Sequence, residues 1–434
     1  MKIAVLILVF VLAAFGSNSA SATDRKDVNH DEAKVGPYTL PDPLMLNNGQ
    51  PVRNAQTWSN QRRGELLELF RANVYGRSPG RPTGMTFQET RVDRGALNGL
   101  ATRKEITVLF TGSNDGPKMT LMLYVPNGEA KPAPAFLGLN FYGNHSVDPD
   151  TSITLSPVWV RATPDDKVVN HRATAKSHGM DAARWQLEKV LRRGYVTATV
   201  YYGELEPDQV EGWKTGVRGV PALGGGDASG ATRKPDAWGA IAAWAWGLSR
   251  AMDYLETDRD IDAQRVAVHG LSRLGKTSLW AGATDERFAL VISNESGEGG
   301  AALARRDFGE NTQDITADFP HWFCLNYNRF VNNIPALPVD QHELIALMAP
   351  RPVYVSSAED DAEADPRGEF LAAKNAESVY ALFQKPGLGV ADQPKVNQPV
   401  GNFIGYHIRT GKHDITSYDW DQFLNFADRH FLKQ

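Results

Sequence analysis

Five short apolar runs, at residues 135–140, 195–202, 266–268, 290–293 and 352–356, recur along this chain with turn-forming residues at their ends and helical segments between most of them. Apolar runs of that length that alternate with helices read as strands buried on both faces, which is the pattern of a mostly parallel sheet covered by helices on each side. The clearest helical segment is 236–256, where Trp238, Ile241, Ala245, Leu248, Met252 and Leu255 return every three or four residues. Residues 61–75 (Leu66, Leu69, Phe70, Val74) and about 418–432 (Phe423, Phe426, Ala427, Phe431) share that period. Earlier, residues 85–125 read as antiparallel strands, with runs at 106–110 and 121–125 separated by a glycine-bounded turn at 112–116. The expected fold class is α/β: a three-layer sandwich with a mostly parallel, twisted sheet, antiparallel N-terminal strands and helices on both faces.

No internal repeat or interdomain linker is visible, so residues 23–434 are expected to form one domain. It would have an extended lead-in at 23–60 and a long loop insertion at 203–234. Loops of that length in compact domains are often functional. Residues 1–22 read as a signal peptide: Lys2, an apolar run over 3–15 and a small-residue cleavage site at Ala20-Ser21-Ala22. The run is short for a membrane span. The expectation is export to the periplasm or beyond, with no membrane partner. The net charge of −5 gives no reason to expect nucleic acid. Cys324 is the only cysteine and cannot make an internal disulfide. A monomer without metal or organic cofactor is expected.

The stretch Val266-Ala-Val-His-Gly-Leu-Ser-Arg-Leu-Gly-Lys276 supports two incompatible chemistries. Residues 270–277 satisfy the phosphate-loop pattern G-x-x-x-x-G-K-[ST]. That loop needs small residues around phosphate and an acidic strand end for magnesium, whereas this one holds Leu271, Arg273 and Leu274 and lacks such an Asp. Alternatively, an apolar strand enters a tight turn with Ser272 at its tip and a helix follows to about residue 283, which is how a nucleophilic serine is presented above a sheet. Gly270 fits the need for close approach, but Gly275 comes one residue later than in G-x-S-x-G. A plainer role for Ser272 is to cap the following helix.

Partners for a nucleophile follow in the order serine, acid, histidine. Beyond the run at 352–356 lies Ala358-Glu-Asp-Asp361, at the strand end where doubly wound sheets assemble their sites. His413, in Gly411-Lys-His413-Asp414, precedes the last helix; it would take the serine proton while Asp361 holds its tautomer. His407 is the rival base.

These segments together resemble the glucuronoyl esterases, carbohydrate esterase family 15, of the α/β-hydrolase superfamily. The resemblance runs from about residue 136 to 431. It rests on Phe136-Leu-Gly-Leu-Asn-Phe-Tyr-Gly-Asn-His145, Gly270-Leu-Ser-Arg-Leu-Gly-Lys276, Ser293-Asn-Glu-Ser-Gly-Glu-Gly-Gly-Ala-Ala302, Phe319-Pro-His-Trp-Phe323, Ala364-Asp-Pro-Arg-Gly-Glu-Phe370 and Gly411-Lys-His-Asp-Ile-Thr416. It also accounts for the spacing of Gly275. The family implies Ser272 as nucleophile, His413 as base and Arg273 as a cationic aid to the oxyanion. It implies Lys276 and Glu310 as ligands of the uronate hydroxyls, with Asp318 a weaker candidate of unexpected type. It offers two places for the acid, Glu295 and Asp361; Asp361 is expected to be the main orienter and Glu295 to assist or substitute.

This chain departs from the family's pattern at Glu363, where many bacterial relatives carry Trp, and at Glu298, where a small residue or Cys is expected. The implied substrates are esters of (4-O-methyl-)glucuronic acid, notably those joining glucuronoxylan to lignin. Two other readings stand beside this one: a secreted esterase acting on acetyl or simple methyl esters, and a carbohydrate-binding relative without catalysis.

Overall fold

The computed structural model describes residues 28–224 and 233–432; the signal-peptide reading and residues 225–232 lie outside them. Ten strands form the main sheet: β1 (Thr86–Ala96), β2 (Ala101–Leu109), β3 (Lys118–Pro126), β4 (Ala133–Asn140), β5 (Val196–Tyr201), β6 (Ile261–Leu271), β7 (Leu290–Asn294), β8 (Val353–Ala358), β9 (Val400–Gly401) and β10 (Ile404–Arg409). Their order is β1-β2-β3-β5-β4-β6-β7-β8-β10-β9. The run from β5 to β10 is parallel, while β1, β2 and β3 and the short β9 pair antiparallel.

Side-chain alternation explains why those short apolar runs are strands. Val266 and Val268 of β6, Val291 of β7 and Val353 and Val355 of β8 join one core. Their neighbours Ala267, Leu290, Ile292 and Tyr354 join a second core on the opposite face. Helices α2 (Ala240–Leu255) and α3 (Arg273–Thr284) cover the first face, following α1 (Arg63–Phe70) in the chain. The last helix, α5 (Ser417–Phe431), follows α4 (Pro366–Asn375) and buries Trp420, Phe423, Phe426, Ala427 and Phe431 on the second.

Three boundaries differ from the sequence reading. Strand β6 begins at Ile261 because its first half (Asp262, Gln264, Arg265) is partly exposed and polar, so the apolar run marked only its buried end. Helix α2 begins at Ala240. Residues before it are claimed by neighbouring backbone: Arg77 N–H donates to Asp236 O (3.0 Å) and Gly239 N–H to Tyr75 O (2.9 Å). A Cβ on Gly239 would sit 2.1 Å from Trp322 O, so only glycine fits there. The lead-in is interrupted by a helical turn at Glu32–Lys34 and ends at Asn54, whose side chain caps a helical run by accepting from Thr57 N (2.8 Å).

The long insertion is not structureless. It holds helical turns at Tyr202–Leu205, Gly212–Lys214, Val217–Gly219 and Pro221–Leu223. Buried Arg218 braces it, donating to Glu206 and to Trp238 O (3.0 Å). Asp208 therefore stands on a held loop rather than a loose one.

Candidate active site

The site lies at the C-terminal ends of the parallel strands. Where β6 ends, Ser272 takes φ 60° and ψ −129°, a conformation that side-chain-bearing residues rarely adopt, and α3 starts at the next residue. The turn is this sharp because strand and helix nearly touch. A Cβ on Gly270 would lie 2.1 Å from Leu274 O, and one on Gly275 3.0 Å from Ser296 Cβ. Ser272 occupies the N-cap position of α3, yet its hydroxyl makes no capping hydrogen bond. The capping role therefore gives no account of it.

Asn294, at the end of β7, ties the serine to the histidine loop. Its carbonyl accepts from Ser272 N (2.9 Å), its Nδ2 donates to Asp414 O (2.9 Å), and its Oδ1 accepts from Ser356 Oγ (2.6 Å). His413, next to Asp414, directs Nδ1 at Asp361 Oδ2 (2.6 Å), with Glu295 Oε2 at 3.3 Å. No hydrogen bond joins Ser272 Oγ to His413 among the described residues, and Nε2 has no protein partner there. Catalytic hydrogen bonds commonly tighten only when substrate is bound.

His407, the rival base, is fully buried in β10, with Nε2 on Asp419 Oδ1 (2.9 Å) and Nδ1 on the Tyr354 hydroxyl (3.0 Å). Both ring nitrogens are engaged inside the core, so it cannot serve the site.

Glu295 and Asp361 thus both face the imidazole. Glu295 is also held by Arg409 Nη2 on Oε1 (2.6 Å) and by Asp414 N on Oε2 (2.9 Å). Burial pushes the Glu295 carboxyl up to about 10; Arg409 opposes this, while the charges of Asp361 and Asp419 add to it. Arg409, a charge on an otherwise apolar strand, was missed by sequence reasoning. It binds Asp419 Oδ2 (2.9 Å) and the carbonyls of Lys412 (3.0 Å) and Asp414 (2.6 Å), and so shapes the loop that presents His413. One donor atom each from Glu295, Asp361 and His413 lie within 4.8 Å of one another. A cation placed among them would compete with the proton on Nδ1.

Arg273, beside the nucleophile, is paired with Asp208 and lies over the rings of Trp322 (4.8 Å) and Phe319 (5.4 Å). One turn on, Lys276 is buried: its N–H bonds to Ser272 O (3.0 Å), and its ammonium donates to the Ser296 carbonyl. That amine is held on a backbone carbonyl, unlike the lysine of a phosphate loop. Burial lowers the Lys276 pKa, and the charges of Glu310 and Glu298 oppose that. Glu310 feels the converse: burial raises its carboxyl and Lys276 opposes. These two predicted substrate ligands therefore sit within each other's field. Asp318 is exposed at the end of the helix Thr312–Asp318, and its charge acts on Glu310.

The two departures at Glu363 and Glu298 have different fates. Glu363 is exposed and pairs with His30 Nε2 (3.0 Å), while its carbonyl accepts from Glu310 N (3.0 Å). Glu298 is buried, accepting from Thr312 Oγ1 (2.6 Å) and the Tyr327 hydroxyl (2.6 Å), and burial pushes it up to about 7.

A serine on a strained strand-to-helix turn, above a parallel sheet and followed in the chain by an acid and a histidine, defines an α/β-hydrolase. Comparison with known proteins narrows the class. The family model "Glucuronyl esterase, fungi" matches residues 233–384. A glucuronoyl esterase from Solibacter usitatus has 50% sequence identity over 92% of this chain and 100% of that one, with a TM-score of 0.86. A promiscuous CE15 esterase from a marine bacterial metagenome has 46% identity over 93% of this chain and 100% of its own, also with a TM-score of 0.86. A 4-O-methyl-glucuronoyl methylesterase from Phanerochaete carnosa is 30% identical over 80% of this chain and 73% of its own length. The chain belongs to the glucuronoyl esterases of carbohydrate esterase family 15.

Proposed function

We propose that this esterase cleaves esters of glucuronic and 4-O-methylglucuronic acid, including those joining glucuronoxylan side chains to lignin alcohols, with Ser272 as nucleophile. Ser272 Oγ attacks the C6 carbonyl of the uronate and His413 Nε2 takes its proton, while Nδ1–H stays on Asp361. The oxyanion is met by Arg273 and by backbone N–H groups at the start of α3, where the first amides of a helix have no intrahelical acceptor. The tetrahedral intermediate collapses and the alcohol leaves with the proton from His413. Water then attacks the glucuronoyl-serine by the same route and restores the hydroxyl. Glu310 and Lys276 form the polar wall that receives the sugar hydroxyls, with Asp318 at its edge.

The observation that carries this reading is the shared Asn294, which accepts from the amide of the strained serine and donates to the loop of the His413–Asp361 pair. Residues 1–22 would direct the protein out of the cytoplasm, where such substrates are found.

The test is hydrolysis by the mature protein of a panel of benzyl and methyl esters of glucuronate, 4-O-methylglucuronate and galacturonate, alongside acetylated xylan. Turnover of the glucuronate esters is expected. Turnover of acetylated xylan alone would replace this reading with an acetyl esterase. Failure of a fluorophosphonate probe to label Ser272 would replace it with a non-catalytic binder.

A further inference from the structure

We propose that Asp208, on the long insertion, is the positioning residue for Arg273, and that the insertion serves to deliver it. The inference rests on the reading above that Arg273 meets the oxyanion. The Asp208 side chain is only 2% exposed. One of its oxygens accepts from His321 Nε2 (2.9 Å) and Trp322 Nε1 (2.7 Å); the other accepts from Arg273 Nη1 and the Tyr202 hydroxyl (3.3 Å). Burial opposes a charge there, but the hydrogen bond from His321 and the charge of Arg273 outweigh it and hold the carboxyl below the usual range. Asp208 is thus an anion contacted by donors from three separate stretches of chain.

An arginine side chain has many rotamers, and a donor aids an oxyanion only if it is already in place when charge develops. Two things fix this one. Asp208 binds Nη1 directly. It also pins the indole of Trp322, which the guanidinium overlies and which stacks on Phe319 at 3.8 Å and 6°. Arg273 Nε is buried without a partner among the described residues, so the pair leaves donor capacity unused. A buried donor with no acceptor is costly unless something later accepts from it. The substrate's carbonyl oxygen, which becomes an anion when the adjacent Ser272 attacks, is the acceptor the chemistry provides.

The test uses the full mature enzyme and two substrates, a methyl glucuronate ester and p-nitrophenyl acetate. Asp208→Asn should lower kcat about 10- to 100-fold with KM changed less than about threefold, since misplacing a catalytic group by an ångström costs rate on that scale. In an Arg273→Ala background the same change should cost less than about threefold, because residues acting as a unit are not additive. Added guanidinium ion should restore part of the Arg273→Ala activity when Asp208 is present and none in the double variant.

Multiplicative losses, or rescue that ignores position 208, would overturn the proposal, as would an Asp208→Asn enzyme with unchanged kcat. Asp208→Glu, which keeps the charge but moves it by one methylene, provides the same comparison if the Asn variant does not fold. Coupling seen on p-nitrophenyl acetate by an enzyme inactive on every glucuronate ester would refute the substrate reading and leave this one standing.

Discussion

The two sides of the candidate site are built on opposite principles. On the imidazole side, two carboxyls, Glu295 and Asp361, face one nitrogen of His413, and Arg409 holds the loop from beneath. On the Arg273 side, a single carboxylate, Asp208, is shared by Arg273, His321, Trp322 and Tyr202. One side has a spare group and the other has none. A site of this kind tolerates loss where a neighbour can take over and fails where several donors depend on one acceptor.

The largest effect should come where the two sides meet. Ser272→Ala and His413→Ala should each lower kcat by about 10³- to 10⁶-fold, the range of other serine triads, measured on a glucuronate ester. Next comes the acid. Asp361→Asn leaves the imidazole without its closest anion and should cost about 10²-fold or more in kcat; other triads lose about 10⁴-fold when they have no substitute. Glu295→Gln should change kcat less than about threefold, because burial raises the Glu295 carboxyl and favours its neutral form, which glutamine resembles. A larger loss in Glu295→Gln than in Asp361→Asn would reverse the assignment of the working acid.

The smallest effect concerns stability. Burial holds Glu295 near 10, Glu369 near 8 and Glu298 near 7 in the folded chain, all above the unfolded value of 4.5. Carboxyls raised on folding contribute fully below that unfolded value, and the contribution is lost as pH rises through the folded values. Buried His145 and His269 are lowered to about 4 and about 3, so their contribution is present above 6.5 and lost on acidification. The melting temperature should therefore fall between about pH 6 and pH 9, and fall less in Glu295→Gln. An unchanged slope in that variant would mean that Glu295 is charged in the folded protein, and the imidazole side would then hold two working anions.

Much of the fold is legible in the sequence. Five of the six parallel strands declared themselves because each is buried on both faces and so reads as a mostly apolar run; β10, which carries Tyr406, His407 and Arg409, did not. The helices did so because one stripe of each is buried. Boundaries were legible only where burial changed sharply; Ile261, Ala240 and Ala55 were misjudged because polar or irregular neighbours blurred the edge. Within the candidate site, Ser272, Asp361 and His413 stand out in the sequence by their order, and the structure pairs His413 with Asp361.

The remainder depended on partners far apart in the chain. Nothing local marks Asp208 as the acceptor for Arg273, since 65 residues separate them and a lone carboxylate in a loop has no period. His407 and His413 are alike as letters; one is sealed between Tyr354 and Asp419 and the other faces Asp361. Periodicity and turn chemistry are properties of neighbouring residues, so the chain by itself determined its layers, its strand-to-helix turn and its candidate nucleophile. How Asp361, His413, His407 and Asp208 are partnered was decided only when the sheet brought separate loops together, because hydrogen bonds and charges act through space rather than along the chain.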